Sequence, residues 1–251
     1  MNELLAKLTD LGYEFFGVLL PGVVTSVWIL IWLVALGLPE LSFERVWSFL
    51  GTLKINNLRA VIPTLMVWWF SGQVILAISR AGKADERAGK SALRRTLLSI
   101  TFRVPRLPNN YNSALNPLFE VASRKISPID GTPLNWRQFY PVAKAVLARE
   151  HSYSLVTNFQ NKYTFHRSIV TAASIVFWLS ILTMLFSVTC GRHMGLNPHW
   201  WLLTVLSLVG LAFVHIFSGT YLDNWLMFGD AIVTESAALL TEIPDGTATD
   251  K

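Results

Sequence analysis

Three residues near the end of the chain have the most pointed chemistry. His215, Gly219 and Asp223 stand four apart and so fall on one face of a helix. His215 lies deep in an apolar run. An ionisable side chain at membrane depth is costly to hold there. It either lines a pore or responds to protons, or it stays neutral and hydrogen-bonds across helices. Gln73 sits inside a second apolar run, where an interhelical hydrogen bond is worth about 0.6–2 kcal/mol. Its alternative role is in transport or gating. His215, Gln73 and Asp223 are therefore the candidate pore or bundle-polar residues.

Other chemistries find no pattern. The five histidines, His151, His166, His193, His199 and His215, include no HExxH pair. His193 and His199 share one short turn and read as solvated loop residues. Ser218-Gly219 resembles the serine-glycine pair of rhomboid proteases, but Ile216 stands where that motif has a small residue. The nearest histidine, His215, is on the same helix. The single cysteine, Cys190, excludes an internal disulfide framework and lacks an adjacent base. No phosphate loop, dinucleotide fingerprint or paired-carboxylate pattern is present. No catalytic residue, cofactor or metal is expected, and the chain reads as non-enzymatic.

The elements that hold these residues are set by hydropathy. The chain is 52% hydrophobic and 15% charged, against about 25% charged in soluble domains. Phe15–Leu38 (24 residues), Ala60–Ser79 (20), Ser168–Cys190 (23) and Trp200–Leu222 carry no charge. About 20 such residues cross about 30 Å of hydrocarbon. Pro21-Gly22 kinks the first span and is a candidate hinge, with packing as the plainer reading. Gly22 and Ser26 form a small-xxx-small pair that lets helices approach. Asn2–Glu14 has leucines at helical spacing and reads as an interfacial helix. A second interfacial helix is expected over Ser42–Leu53.

Between spans 2 and 3 lies Arg80–Arg167, with 15 of the 21 Lys and Arg residues. Arg80, Lys83, Arg87, Lys90, Arg94, Arg95, Arg103 and Arg106 are candidate contacts to anionic lipid or to a partner. Aromatic residues interleave with Arg103, Arg106 and Arg137, but the charge clusters beside apolar spans, where membrane topology alone explains it. That argues against nucleic acid. Prolines interrupt residues 104–141, so short helices and loops are expected, one helix near Pro117–Lys125. No Pro or Gly follows Pro141 until Gly191. Val142–Cys190 is thus expected to run as one 49-residue helix, about 73 Å long, with Ser152-Tyr153-Ser154 the place for a break. Its domain part has a partial apolar stripe of Leu147, Leu155 and Phe159. Asp223–Lys251 carries six acids and one Lys and reads as an acidic tail, disordered from Pro244.

Four spans put both termini on the side of the basic segment. That side carries 17 Lys and Arg residues and the other carries 4, namely Arg45, Lys54, Arg59 and Arg192. The positive-inside rule then makes it cytoplasmic. The expected fold is an all-α membrane protein of four transmembrane helices with a helical cytoplasmic domain inserted between spans 2 and 3. Its divisions are residues 1–79, 80–167, 168–222 and 223–251, in the bacterial inner membrane.

Tyr13-Glu-Phe-Phe-Gly-Val-Leu-Leu-Pro-Gly22, Ser71-Gly-Gln-Val-Ile-Leu-Ala-Ile-Ser-Arg80 and Phe159-Gln-Asn-Lys-Tyr-Thr-Phe-His-Arg167 together resemble small four-span bacterial inner-membrane proteins. Several of these sit in anti-phage defence loci beside a soluble sensor, as does the membrane subunit of the Kiwa system. The resemblance covers layout over most of the chain, and it carries over no functional residue. It implies a partner-dependent defence role. The reading that follows is a homo-oligomeric membrane scaffold or sensor that recruits a soluble cytoplasmic protein. Two alternatives stand beside it. One is an oligomeric channel or membrane-permeabilising effector built on His215 and Gln73. The other is a lipid-acting membrane enzyme built on Asp223 with Arg80 or Arg167.

Overall fold

The four apolar runs become four long helices. The computed structural model of the chain describes residues 12–37, 44–45, 48, 58–88, 115–127, 132–149, 154–189 and 198–242. Among them there is no strand. A π-helical segment, Tyr13–Leu19, leads into α1 (Leu20–Ala35); then follow α2 (Leu58–Ala88), α3 (Asn116–Ile126), α4 (Trp136–Arg149), α5 (Ser154–Thr189) and α6 (Trp200–Glu242). Helices α1 (with its π-helical lead), α2, α5 and α6 are each long and apolar enough to cross a membrane. The expected interfacial helix over residues 2–14 falls largely outside the described residues, as does the one over 42–53.

The π-helical turn has a local cause. Pro21 has no N–H and its ring crowds the carbonyl one turn back. The turn before it widens, and Leu20 N–H bonds Phe15 O, five residues back, the π spacing. At the other end Gly37 takes φ 68°, the left-handed conformation that stops a helix, so α1 ends at Ala35 rather than at Leu38.

Two compact units divide the chain. One comprises residues 10–104 and 164–221, the other 1–9, 105–163 and 222–251. In the first, α1 touches each of the other three spans. It meets α2 where Gly22 and Gly72 cross: a Cβ on Gly22 would collide with Trp68 O and stand 2.8 Å from Gly72 N. Ser26 Oγ and Ser71 Oγ lie 3.3 Å apart beside that crossing. Trp32 Nε1 donates to Thr183 Oγ1 of α5 at 3.1 Å, and the Trp28 ring meets Phe213 of α6 edge-on at 5.0 Å. Helices α5 and α6 approach at Gly210, whose missing Cβ would be 3.0 Å from Ala173 O. The core holds Trp28, Ile75, Val176 and Leu203, among others.

The second unit has its own apolar core. Trp136, Phe139, Ala143 and Leu147 of α4 recur at helical spacing and pack with Phe228, Ile232 and Ala237 of α6, Ala122 of α3 and Val156 of α5. Asn135 and Gln138 form a reciprocal capping box at the start of α4: Gln138 N–H donates to Asn135 Oδ1 at 3.1 Å, and Asn135 N–H to Gln138 Oε1 at 3.3 Å. This satisfies two donors that a helix start leaves open.

The structure differs from the sequence expectations in three places. First, Val142–Cys190 does not form one helix. Lys144 Nζ donates to Gln160 Oε1 at 3.0 Å, yet sixteen residues of continuous helix would part their backbones by about 24 Å. Helix α4 and the start of α5 therefore pack against each other as two helices; residues 150–153, where most of the expected break falls, lie outside the described ones. Second, the segment from Asp223 is helical to Glu242. Trp225, Phe228, Ile232 and Leu240 give it an apolar face toward the second core; the disorder expected from Pro244 lies outside the described residues. Third, Leu155 is 51% exposed, whereas Leu147 is buried and Phe159 packs on the core.

Candidate functional site

The polar residues singled out in the apolar runs do not converge on one interior point. His215 and Asp223 are exposed on α6, and Gly219 between them has nothing within 4 Å of where a Cβ would stand. Gln73 is half-buried on α2, next to Gly72 at the crossing with α1. Pro21 and Gly22 are both buried in that crossing, held further by Thr25 Oγ1 donating to Pro21 O at 2.7 Å.

The basic residues divide. Arg80, Lys83 and Arg87 fall at three- and four-residue steps along the last part of α2, so the helix runs past the apolar stretch into the basic segment. Lys90, Arg94, Arg95, Arg103 and Arg106 lie outside the described residues, as do His151, Cys190 and His193. Arg167 is only 8% exposed. Asp223 is exposed, so the two partners expected of a lipid-headgroup site sit in opposite environments. His166 is half-buried, its ring 5.5 Å from Phe217. His199 is exposed, and its backbone N–H bonds Ala35 O at 2.9 Å, tying the start of α6 to the end of α1.

Sequence reasoning missed a polar group in the second unit. Tyr140 and Lys144, one turn apart on α4, face the unit's interior. Burial, then the neighbouring Tyr163 phenol, pushes the Tyr140 hydroxyl up to about 12. Burial also holds the Lys144 ammonium below the usual lysine range. Glu235 of α6 reaches the first turn of α5, where its Oε1 accepts the Leu155 N–H at 3.0 Å. A carboxylate there complements the helix dipole and an open donor. A partial clue was available for Lys144, which falls four residues after Tyr140 and three before Leu147 on the buried stripe.

Buried hydroxyls are the other missed feature. Ser168, Ser174 and Ser180 of α5 are at most 2% exposed, and their Oγ atoms have no hydrogen-bond partner among the described residues. Thr171, between them, bonds Arg167 O at 2.8 Å. Small hydroxyl residues let helix backbones approach closely; Ser168, Thr171 and Ser174 lie in the stretch 167–174, where every residue is buried, and Ser180 is a buried position among half-buried ones. Among the described residues no three His, Cys, Asp or Glu side chains gather as a metal site.

These features define a chain that is all-helical among its described residues, with four helices of membrane-crossing length and hydropathy. No protein-family model, curated protein or solved structure matches it.

Proposed function

We propose that this chain is a non-enzymatic, homo-oligomeric scaffold or sensor of the bacterial inner membrane that recruits a soluble cytoplasmic protein. The observation that carries the reading is the second apolar core. Residues from α3, α4, the start of α5 and the end of α6 build a compact body around Phe139, Leu147 and Phe228. A protein whose whole task lay in the bilayer would not need a separate core. The distribution of Lys and Arg, 17 on one side and 4 on the other, favours placing that body and both termini in the cytoplasm. Lys and Arg residues that follow a span on that side would each contribute about 1 kcal/mol of attraction to anionic headgroups. The resemblance in layout to membrane subunits of anti-phage loci makes phage defence the setting.

The test is purification of the intact chain in mild detergent beside a Phe139→Ala variant, which empties the second core. A soluble protein retained by the first and lost from the second, with both still multimeric, is the expected result. A monomer that retains nothing would refute the reading.

The channel reading has one observation in its favour, the exposed His215 and Asp223 on a single α6 face. It predicts ion flux across liposomes holding the purified chain, reduced by His215→Leu. Liposomes that stay tight would end it.

A further inference from the structure

Gly22, Gly72 and Gly210 behave alike. Each sets its missing Cβ against the backbone of a neighbouring helix, Trp68 O, Val18 O and Ala173 O respectively. Gly219 differs from them: nothing lies within 4 Å of where its Cβ would stand. It shares its face of α6 with Leu208, Ala212 and His215, all exposed. His215 is fifteen residues past Trp200, about 22 Å along the helix and so within a hydrocarbon layer about 30 Å thick. Lipid tails offer its imidazole neither a donor nor an acceptor.

We propose that this face, centred on His215 and Gly219, is where a second copy of the chain docks, α6 against α6. The occupant follows from the chemistry of the ring and from the way spans insert. A neutral imidazole carries one donor nitrogen and one acceptor nitrogen, so one His215 satisfies another. Copies inserted the same way round bring His215 to His215 and Gly219 to Gly219 at the same depth, without any special arrangement. A glycine at the crossing lets the two backbones close to contact, as Gly22 and Gly72 do within one chain, and as small residues generally do between membrane helices. Leu208 and Ala212 continue the contact toward the Trp200 end. The proposal deepens the homo-oligomer part of the function above and rests on it.

Single cysteines test it in a Cys190→Ser background. Gly219→Cys and Ile216→Cys, oxidised in native membranes, are expected to give a disulfide-linked dimer. Met66→Cys, at an α2 residue that is itself 66% exposed, is expected to give only background. Adding His215→Leu to Ile216→Cys should weaken association roughly three- to thirty-fold, the span expected for one interhelical hydrogen bond, while His215→Gln, which keeps a donor and an acceptor, should restore most of it. Cross-linking at 216 and 219 no greater than at 66, or indifferent to His215→Leu, would overturn the interface. The mass of the detergent-solubilised chain separates the two readings. A multimer without these cross-links removes this interface and leaves the homo-oligomer standing, whereas a monomer removes both.

Discussion

At the scale of single residues, the glycines and one phenol make the sharpest predictions. Gly22 has no room for a methyl group, because the obstacle is the Trp68 carbonyl and not a flexible side chain. Gly22→Ala should cost about 1–3 kcal/mol, the range for overpacking a tight contact, measured as reversible unfolding in detergent or bicelles. Gly219→Ala, with open space at the same test, should leave the unassociated chain unchanged or more stable by up to about 1 kcal/mol, the helix preference of alanine. Equal losses at both positions would contradict the crossing geometry. Tyr140 carries the clearest pH dependence. Its folded value of about 12 exceeds the ordinary phenol value of about 10, so the folded state holds the proton more tightly than the unfolded one. The stabilisation is complete below about pH 10 and is lost as pH rises through about 12, a swing of at most about 3 kcal/mol. Tyr140→Phe should remove that alkaline step from the stability profile.

At the scale of elements, the apolar runs were legible because a span must be about 20 residues of uncharged helix. The Gly22–Ser26 pair was legible for a similar reason, since small residues at that spacing serve helix contact. What escaped was whatever depends on residues far apart in sequence. A break at Ser152-Tyr153-Ser154 was expected, but the packing of α4 against the start of α5 shows only in a pair sixteen residues apart, Lys144 with Gln160. The charge at Asp223 suggested an end to the last helix, yet Trp225, Phe228 and Ile232 continue its period into a second core. The capping box is readable in principle, as Asn-x-x-Gln before an apolar stripe, but Pro141, which reads as a helix breaker, lies inside the helix that starts five residues earlier. Asn135→Ala should therefore cost about 0.5–2 kcal/mol, read from urea unfolding monitored by tryptophan fluorescence. A null effect would mean that core packing alone sets the start of α4.

At the scale of the molecule, α6 is the element that serves both units. Its 43 residues span about 65 Å as a helix, twice what a hydrocarbon layer needs. The first half belongs with the spans and the second, from Leu222, with the other unit. A chain cut after Leu222 keeps every apolar run but loses Phe228, Ile232 and Ala237 from the second core. Removing large buried side chains from a core costs about 2–5 kcal/mol each, which together approach or exceed the whole stability of a small domain. The truncated chain should still insert and resist carbonate extraction, because insertion depends on the apolar runs. Residues 115–149 should at the same time become open to limited proteolysis. Insertion retained with cleavage confined to that region would show that the two cores fold separately; protection equal to the intact chain would mean that α3, α4 and the start of α5 hold together without α6. Adding back residues 223–242 as a separate peptide should restore protection where the apolar face is intact and fail with Phe228→Asp, since burying an unpaired carboxylate in that core costs more than the helix gains by docking.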